Sequence, residues 1–165
     1  MCLWRRDADT LMSCIYLGLG SNLGNKHENI KKALALIAER VGDILALSDF
    51  YETQSWGYNS SESYINAAVK IETLLIPEEL LIVTQDIERK IGRKKKTVGS
   101  EYQDRIIDID ILLYDNLILQ TTKLTIPHPL MHQREFVLKP LSEIAPNVAH
   151  PISGKTIVEL RSFYL

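Results

Sequence analysis

Cysteine is scarce in this chain of 165 residues: only Cys2 and Cys14 occur, both near the N-terminus. Such a pair cannot staple the body of a fold, which excludes a disulfide framework and points to a reducing, cytoplasmic compartment. No run of about 18 apolar residues is present, so a membrane-spanning helix is excluded. Arg5-Arg6 ahead of Leu11 to Leu19 imitates a signal peptide, but Asp7 and Asp9 interrupt the basic start and no small-x-small cleavage site follows. An excess of either charge is missing too. With 19 Lys+Arg against 21 Asp+Glu the formal net charge is −2, so the surface as a whole is no electropositive glove for nucleic acid, and the aromatic-basic string of an RNA-reading sheet is absent. Any anionic ligand must meet a local cluster of cations. What is present is 45% hydrophobic and 24% charged residues, the balance of one globular domain rather than a collagenous or disordered chain. Residues 1–12 read as a loose extension, and 13–165 as a single domain.

Cys14 to Leu19 is apolar and β-rich and runs into Gly-Ser-Asn-Leu-Gly-Asn, the punctuation between a strand and a helix. Ile30, Leu34, Ile37 and Val41 recur at helical spacing over 27–41, with Gly42 where a C-terminal cap belongs. Ile44 to Thr53 reads as a second strand. Beyond a polar loop from Gln54 to Ser63, Ile65, Ala67, Val69 and Ile71 alternate with Tyr64, Asn66, Ala68 and Lys70 as in a half-buried strand, so Tyr64 and Asn66 share a face. Pro77-Glu-Glu opens a second helix, with Leu80, Val83, Ile87 and Ile91 as its buried stripe and Gly92 as its end. Arg93 to Asp104 is charged and poor in apolar anchors, a loop expected to be mobile until a polyphosphate orders it. Ile106 to Tyr114 is the strongest strand, with Leu117 to Leu119 expected to pair back onto it across Asp115-Asn116. The proline-punctuated tail offers short helices. The order β-α-β-β-α-β specifies an α+β, ferredoxin-like (split βαβ) antiparallel sandwich.

Asp108 and Asp110 stand two apart on the strongest strand and therefore project to one side about 6.6–7 Å from each other. Carboxylates in the middle of an apolar strand must be paired, protonated or metal-bound. Two readings stay open at this spacing: a solvated face or an ion pair with Arg93, Lys95 or Arg105, or a bracket for Mg²⁺ ions. The run Arg93-Lys-Lys95-Lys and Arg105, with His128, His132 and Arg134 downstream, favours the second, since an Mg²⁺–polyphosphate site needs anions for metal and cations for phosphate. Zinc is not expected at His128-Pro-Leu-Met-His132, which lacks the adjacent Glu of the protease motif and is broken by Pro129. Gly18-x-Gly20-x-x-x-Gly24 misses the dinucleotide fingerprint by one residue, and Gly154-Lys-Thr lacks the upstream glycine of a P-loop.

Five segments in order resemble one family. They are Gly18-Leu-Gly20-Ser21-Asn22, Phe50-Tyr51-Glu52-Thr53, Tyr64-Ile-Asn66-Ala-Ala, Arg105-Ile-Ile-Asp108-Ile-Asp110, and Pro127-His128-Pro129 with Arg134-Glu-Phe136-Val-Leu. From Cys14 onward the chain is similar to the 6-hydroxymethyl-7,8-dihydropterin pyrophosphokinases of folate biosynthesis. The resemblance implies transfer of the terminal pyrophosphate of ATP to the hydroxymethyl group of the pterin, with release of AMP. It implies that Asp108 and Asp110 hold two Mg²⁺ ions, that Asn66 and Thr53 read the pterin edge, and that Tyr64 and Phe136 sandwich the ring. It further implies that Arg93, Lys95, Arg105, His128 and Arg134 clamp ATP, with Arg93 and Lys95 assisting the transfer, and that Gln85 and Glu88 face the nucleotide. Lys95 stands where the family often has arginine, and Tyr102-Gln-Asp104 where it commonly has Trp-Gly-Pro; lysine lacks the bidentate fork. The implied enzyme is cytoplasmic and monomeric, without nucleic-acid or membrane partners. A non-catalytic ferredoxin-like binding module and a metal-dependent phosphohydrolase are the competing classes.

Overall fold

The computed structural model describes residues 11–54, 63–92 and 106–165. Residues 1–10 of the extension, most of the polar loop from Gln54 to Ser63, and the charged segment with Arg93, Lys95 and Arg105 lie outside the described residues. Strand β1 (Ser13–Ser21) leads to helix α1 (Lys26–Arg40), whose first turn is capped by the Asn25 side chain accepting from Glu28 N. Strands β2 (Gly42–Leu47), β3 (Tyr51–Thr53) and β4 (Tyr64–Thr73) precede helix α2 (Pro77–Ile91). Strand β5 (Asp108–Tyr114), the short strands β6 (Leu119–Gln120) and β7 (Thr125–Ile126), a 3-10 turn at Met131–Gln133, and helices α3 (Glu135–Ile144) and α4 (Ile157–Ser162) complete the fold.

The main sheet is antiparallel in the order β2-β4-β1-β5, with β3 also on β4. Alternation sorts its side chains. Ile15, Leu17 and Leu19 of β1, Ile65, Val69 and Ile71 of β4, and Ile109 and Ile111 of β5 turn to one face, where Ile30, Ala33 and Ile37 of α1 and Leu80 and Ile87 of α2 bury them. Cys14, Tyr16, Ala68 and Leu112 turn to the other and meet Val137, Leu138 and Leu141 of α3 and Ile157 and Leu160 of α4.

Four expectations change. Gly42 is not the cap of α1, because Val41 closes that helix by donating its N–H to Ile37 O (2.9 Å). Gly42 instead opens β2, where a Cβ would collide with the Glu72 carbonyl oxygen. The expected strand 44–53 is broken at Ser48, whose N–H donates to Ala68 O and whose Oγ accepts from Ala68 N, each at 2.9 Å; Asp49 N then turns to Glu143 Oε2 of α3 (2.6 Å). The expected half-burial of β4 gives way to burial on both faces, since α3 packs over the second. Leu117 to Leu119 does not fold back on β5. Asp115, at φ 46, ties the turn to β1 through Asp115 N to Cys14 O and Cys14 N to Asp115 Oδ1, each 2.8 Å. Strand β6 pairs with β7 instead.

Candidate active site

Helices α3 and α4 cover only part of the second sheet face, and the rest forms a cavity of about 270 Å³. Cross-strand register sets its floor. Asn66 of β4 pairs with Gly20 of β1, which pairs with Asp108 of β5; one step along, Ala68 pairs with Gly18 and Gly18 with Asp110. All six side-chain directions point to this face, and the glycines leave a trough between the carboxamide on one side and the carboxylates on the other. Thr53, Tyr64, Arg134, Phe136, Val137 and Pro140 raise the walls. Asn66 Nδ2 donates to Thr53 Oγ1 (3.0 Å), fixing the carboxamide at the cavity edge. The Arg134 guanidinium carbon stands 5.7 Å from the centre of the Phe136 ring, a cation–π distance.

A second cavity opens on the outer edge of β5, between α2 and the β6–β7 hairpin. Thr84, Gln85 and Glu88 line it from the helix and Thr121 to Thr125 from the hairpin. Asp108, Asp110 and His128 line both cavities. The two chambers therefore meet at the carboxylate pair.

The residues singled out in sequence divide accordingly. Thr53, Tyr64, Asn66, Phe136 and Arg134 come together in the first chamber, Gln85 and Glu88 in the second, and Asp108, Asp110 and His128 at the junction. Three of them differ in character from the expectation. Asp108 begins β5 and Asp110 follows, both half-exposed, so neither is a carboxylate enclosed mid-strand. His128 was expected among the cations around ATP, yet burial and then the Arg134 charge push its imidazole down to about 4, against the opposing pull of Asp108. Its Nδ1 accepts from Leu130 N (3.2 Å), so the ring is neutral with Nε2 carrying the proton, a donor rather than a charge.

Glu88 has a structural bond beside its place in the chamber. It is 4% exposed, and its Oε1 accepts from Ile109 N (3.1 Å), the amide between the two aspartates on the open edge of β5. Sequence reasoning quoted Gly18 and Gly20 as a motif but gave them no place in the site, and it missed the hairpin threonines; both became neighbours of the site only through strand register and the β6–β7 pairing. Among the described residues no three His, Cys, Asp or Glu side chains form a metal cluster. Two carboxylates side by side on one strand nonetheless suit Mg²⁺, which takes one or two carboxylates and completes its shell with phosphate oxygens and water.

Known proteins share this architecture. The family model for 7,8-dihydro-6-hydroxymethylpterin-pyrophosphokinase matches residues 16–146. A 2-amino-4-hydroxy-6-hydroxymethyldihydropteridine pyrophosphokinase of Porphyromonas gingivalis is 48% identical over 136 residues, covering 82% of this chain and 92% of that protein. The enzyme of the same name from Aquifex aeolicus is 39% identical over 150 residues, 91% of each. Among solved structures, a wild-type HPPK-DHPS of Plasmodium falciparum superposes with a TM-score of 0.76 at 17% identity, over 96% of this chain and 44% of that longer one, a likeness of fold. The match over most of the chain, at such identity to two full-length relatives, places this chain in the 7,8-dihydro-6-hydroxymethylpterin-pyrophosphokinase family.

Proposed function

We propose that this protein transfers pyrophosphate from ATP to the hydroxymethyl group of 6-hydroxymethyl-7,8-dihydropterin, releasing AMP, in folate biosynthesis. The observation that carries the reading is the meeting of two chambers at Asp108 and Asp110. One chamber has the flat, aromatic-walled and amide-edged character of a heteroaromatic site, and the other lies along α2 and a threonine-rich hairpin with room for a nucleotide. The strand order β2-β4-β1-β5 supports the finer reading of a ferredoxin-like split βαβ fold.

The pterin ring lies between Tyr64 and Phe136 by offset stacking, and Asn66, steadied by Thr53, reads its polar edge. Its hydroxymethyl oxygen is thereby aimed across β1 at the carboxylates, roughly 10 Å from Asn66 by two strand spacings. Gln85 and Glu88 face ATP on the far side, the neutral Nε2–H of His128 donates to phosphate oxygens at the junction, and Arg134 reaches them from the wall of the first chamber. Arg93, Lys95 and Arg105 add the remaining positive charge. Asp108 and Asp110 would hold two Mg²⁺ ions, which supply charge neutralisation for the polyphosphate. The hydroxymethyl oxygen then bonds to the β-phosphorus as the α–β anhydride bond breaks; AMP departs with the bridging oxygen and the hydroxyl proton is released. Positioning and charge stabilisation, not covalent participation of the protein, account for the rate.

Incubation with ATP, Mg²⁺ and the pterin should yield AMP in equal amount to pterin pyrophosphate. ADP with phosphate, or turnover that ignores the pterin, would point to a phosphohydrolase instead.

A further inference from the structure

Gly20 has a reason for being glycine that its backbone does not supply. Its φ lies outside the left-handed region that Gly24, Gly92 and Gly154 occupy, so alanine is conformationally acceptable there. Space is the constraint. A Cβ at Gly20 would lie 3.2 Å from Asn66 Oδ1 and 3.8 Å from Tyr64 Cδ1, tighter on the carboxamide than ordinary contact; at Gly18, on the same face, the nearest atoms belong to Leu112 at 3.5 Å. Asn66 has little freedom to yield. Its Nδ2 is bonded to Thr53 Oγ1, its residue is 8% exposed, and its cross-strand partner in the ladder is Gly20 itself. Moving Oδ1 aside by a few tenths of an ångström turns the carboxamide and strains its 3.0 Å bond to Thr53.

We propose that Gly20 is a positioning residue for pterin recognition, whose missing side chain lets the Asn66 carboxamide stand at the height from which it reads the ring. The inference rests on the pyrophosphokinase reading, and it assigns Gly20 no part in nucleotide binding, because the second chamber lies beyond Asp108 on the outer edge of β5. Gly20→Ala should raise KM for the pterin roughly tenfold or more, the scale of one lost buried hydrogen bond, with a smaller loss in kcat and with ATP-analogue affinity within about twofold of the parent. In an Asn66→Ala background the added methyl meets no carboxamide, so the double variant should match Asn66→Ala alone in pterin KM. This second comparison also serves if Gly20→Ala does not fold. A Gly20→Ala enzyme with parental pterin KM overturns the proposal, as do additive penalties in the double variant or a double variant that is itself unfolded. A parent enzyme whose ATP turnover is indifferent to the pterin overturns the underlying function, and that result is read without any variant.

Discussion

Asp108 and Asp110 sit where the chamber walled by Tyr64 and Phe136 and the chamber along α2 share a wall, and each carboxylate could be replaced by an amide without a change of shape. Asn at either position should leave folding intact and lower turnover by on the order of 10²-fold or more at saturating Mg²⁺. Near-parental single-turnover rates in both variants would remove the pair from the reaction. Glu88 tests a different property, because its carboxylate oxygen satisfies the Ile109 amide between those aspartates. Glu88→Gln keeps an acceptor there and should cost little stability, whereas Glu88→Leu strands a buried N–H and should destabilise by about 1–3 kcal/mol. Urea unfolding of the two variants decides it: equal stabilities would mean that the bond to Ile109 carries no weight. His128 shows why residue type alone misleads, since the same imidazole that sequence places among the cations is held neutral by burial and by the adjacent Arg134.

Elements reveal what local pattern does and does not settle. The periodicity of 27–41 and the Pro77-Glu-Glu start were enough to place α1 and α2, because amphipathic spacing and end signals are local. Gly42 carries the same local signal as a helix cap, yet its role comes from the approach of the Glu72 backbone across the β2–β4 ladder. Gly42→Ala should therefore destabilise by about 2–3 kcal/mol as overpacking against backbone that cannot step aside. A glycine needed only for a left-handed backbone would lose only about 1–2 kcal/mol, so thermal melts of Gly42→Ala beside Gly154→Ala, at φ 73 with nothing within 4 Å of an added Cβ, check the assignment; a milder loss at 42 than at 154 would contradict it. The break at Ser48 and the β6–β7 hairpin were illegible for a similar reason. Ser48 trades ladder bonds with Ala68, and Asp115 is held by Cys14, both partners distant in sequence.

At the scale of the whole molecule, the sheet is covered by α1 and α2 on one face and by α3 and α4 on part of the other. The second layer buries His150, whose Nδ1 accepts from Ile152 N and Ser153 N (both 3.3 Å) and whose imidazole is lowered from 6.5 by burial and then by His132. His128 is lowered in the same direction, to about 4. In the unfolded chain both imidazoles take up protons near their ordinary value, so the unfolded state binds more protons just below it, and stability of the ligand-free protein should fall as pH drops through that range. His150→Gln should flatten this loss, whatever it does to stability at neutral pH. Urea midpoints at pH 7.5, 6.5 and 5.5 provide the measurement, and an unchanged acid slope in the variant would show that His150 does not contribute.

The sequence by itself determined the antiparallel α+β class, the two long helices, the shared face of Tyr64 and Asn66 and the same-side projection of Asp108 and Asp110, because strand and helix periods are short-range properties of the chain. It also carried the family, through five motif segments standing in one order along the chain. Only the tertiary structure decided that Asn66, Gly20 and Asp108 form one row across three strands, that Glu88 holds the amide between the aspartates, and that His128 is neutral. Register, close backbone approach and burial each depend on which distant segments meet, and no window of neighbouring residues contains that information.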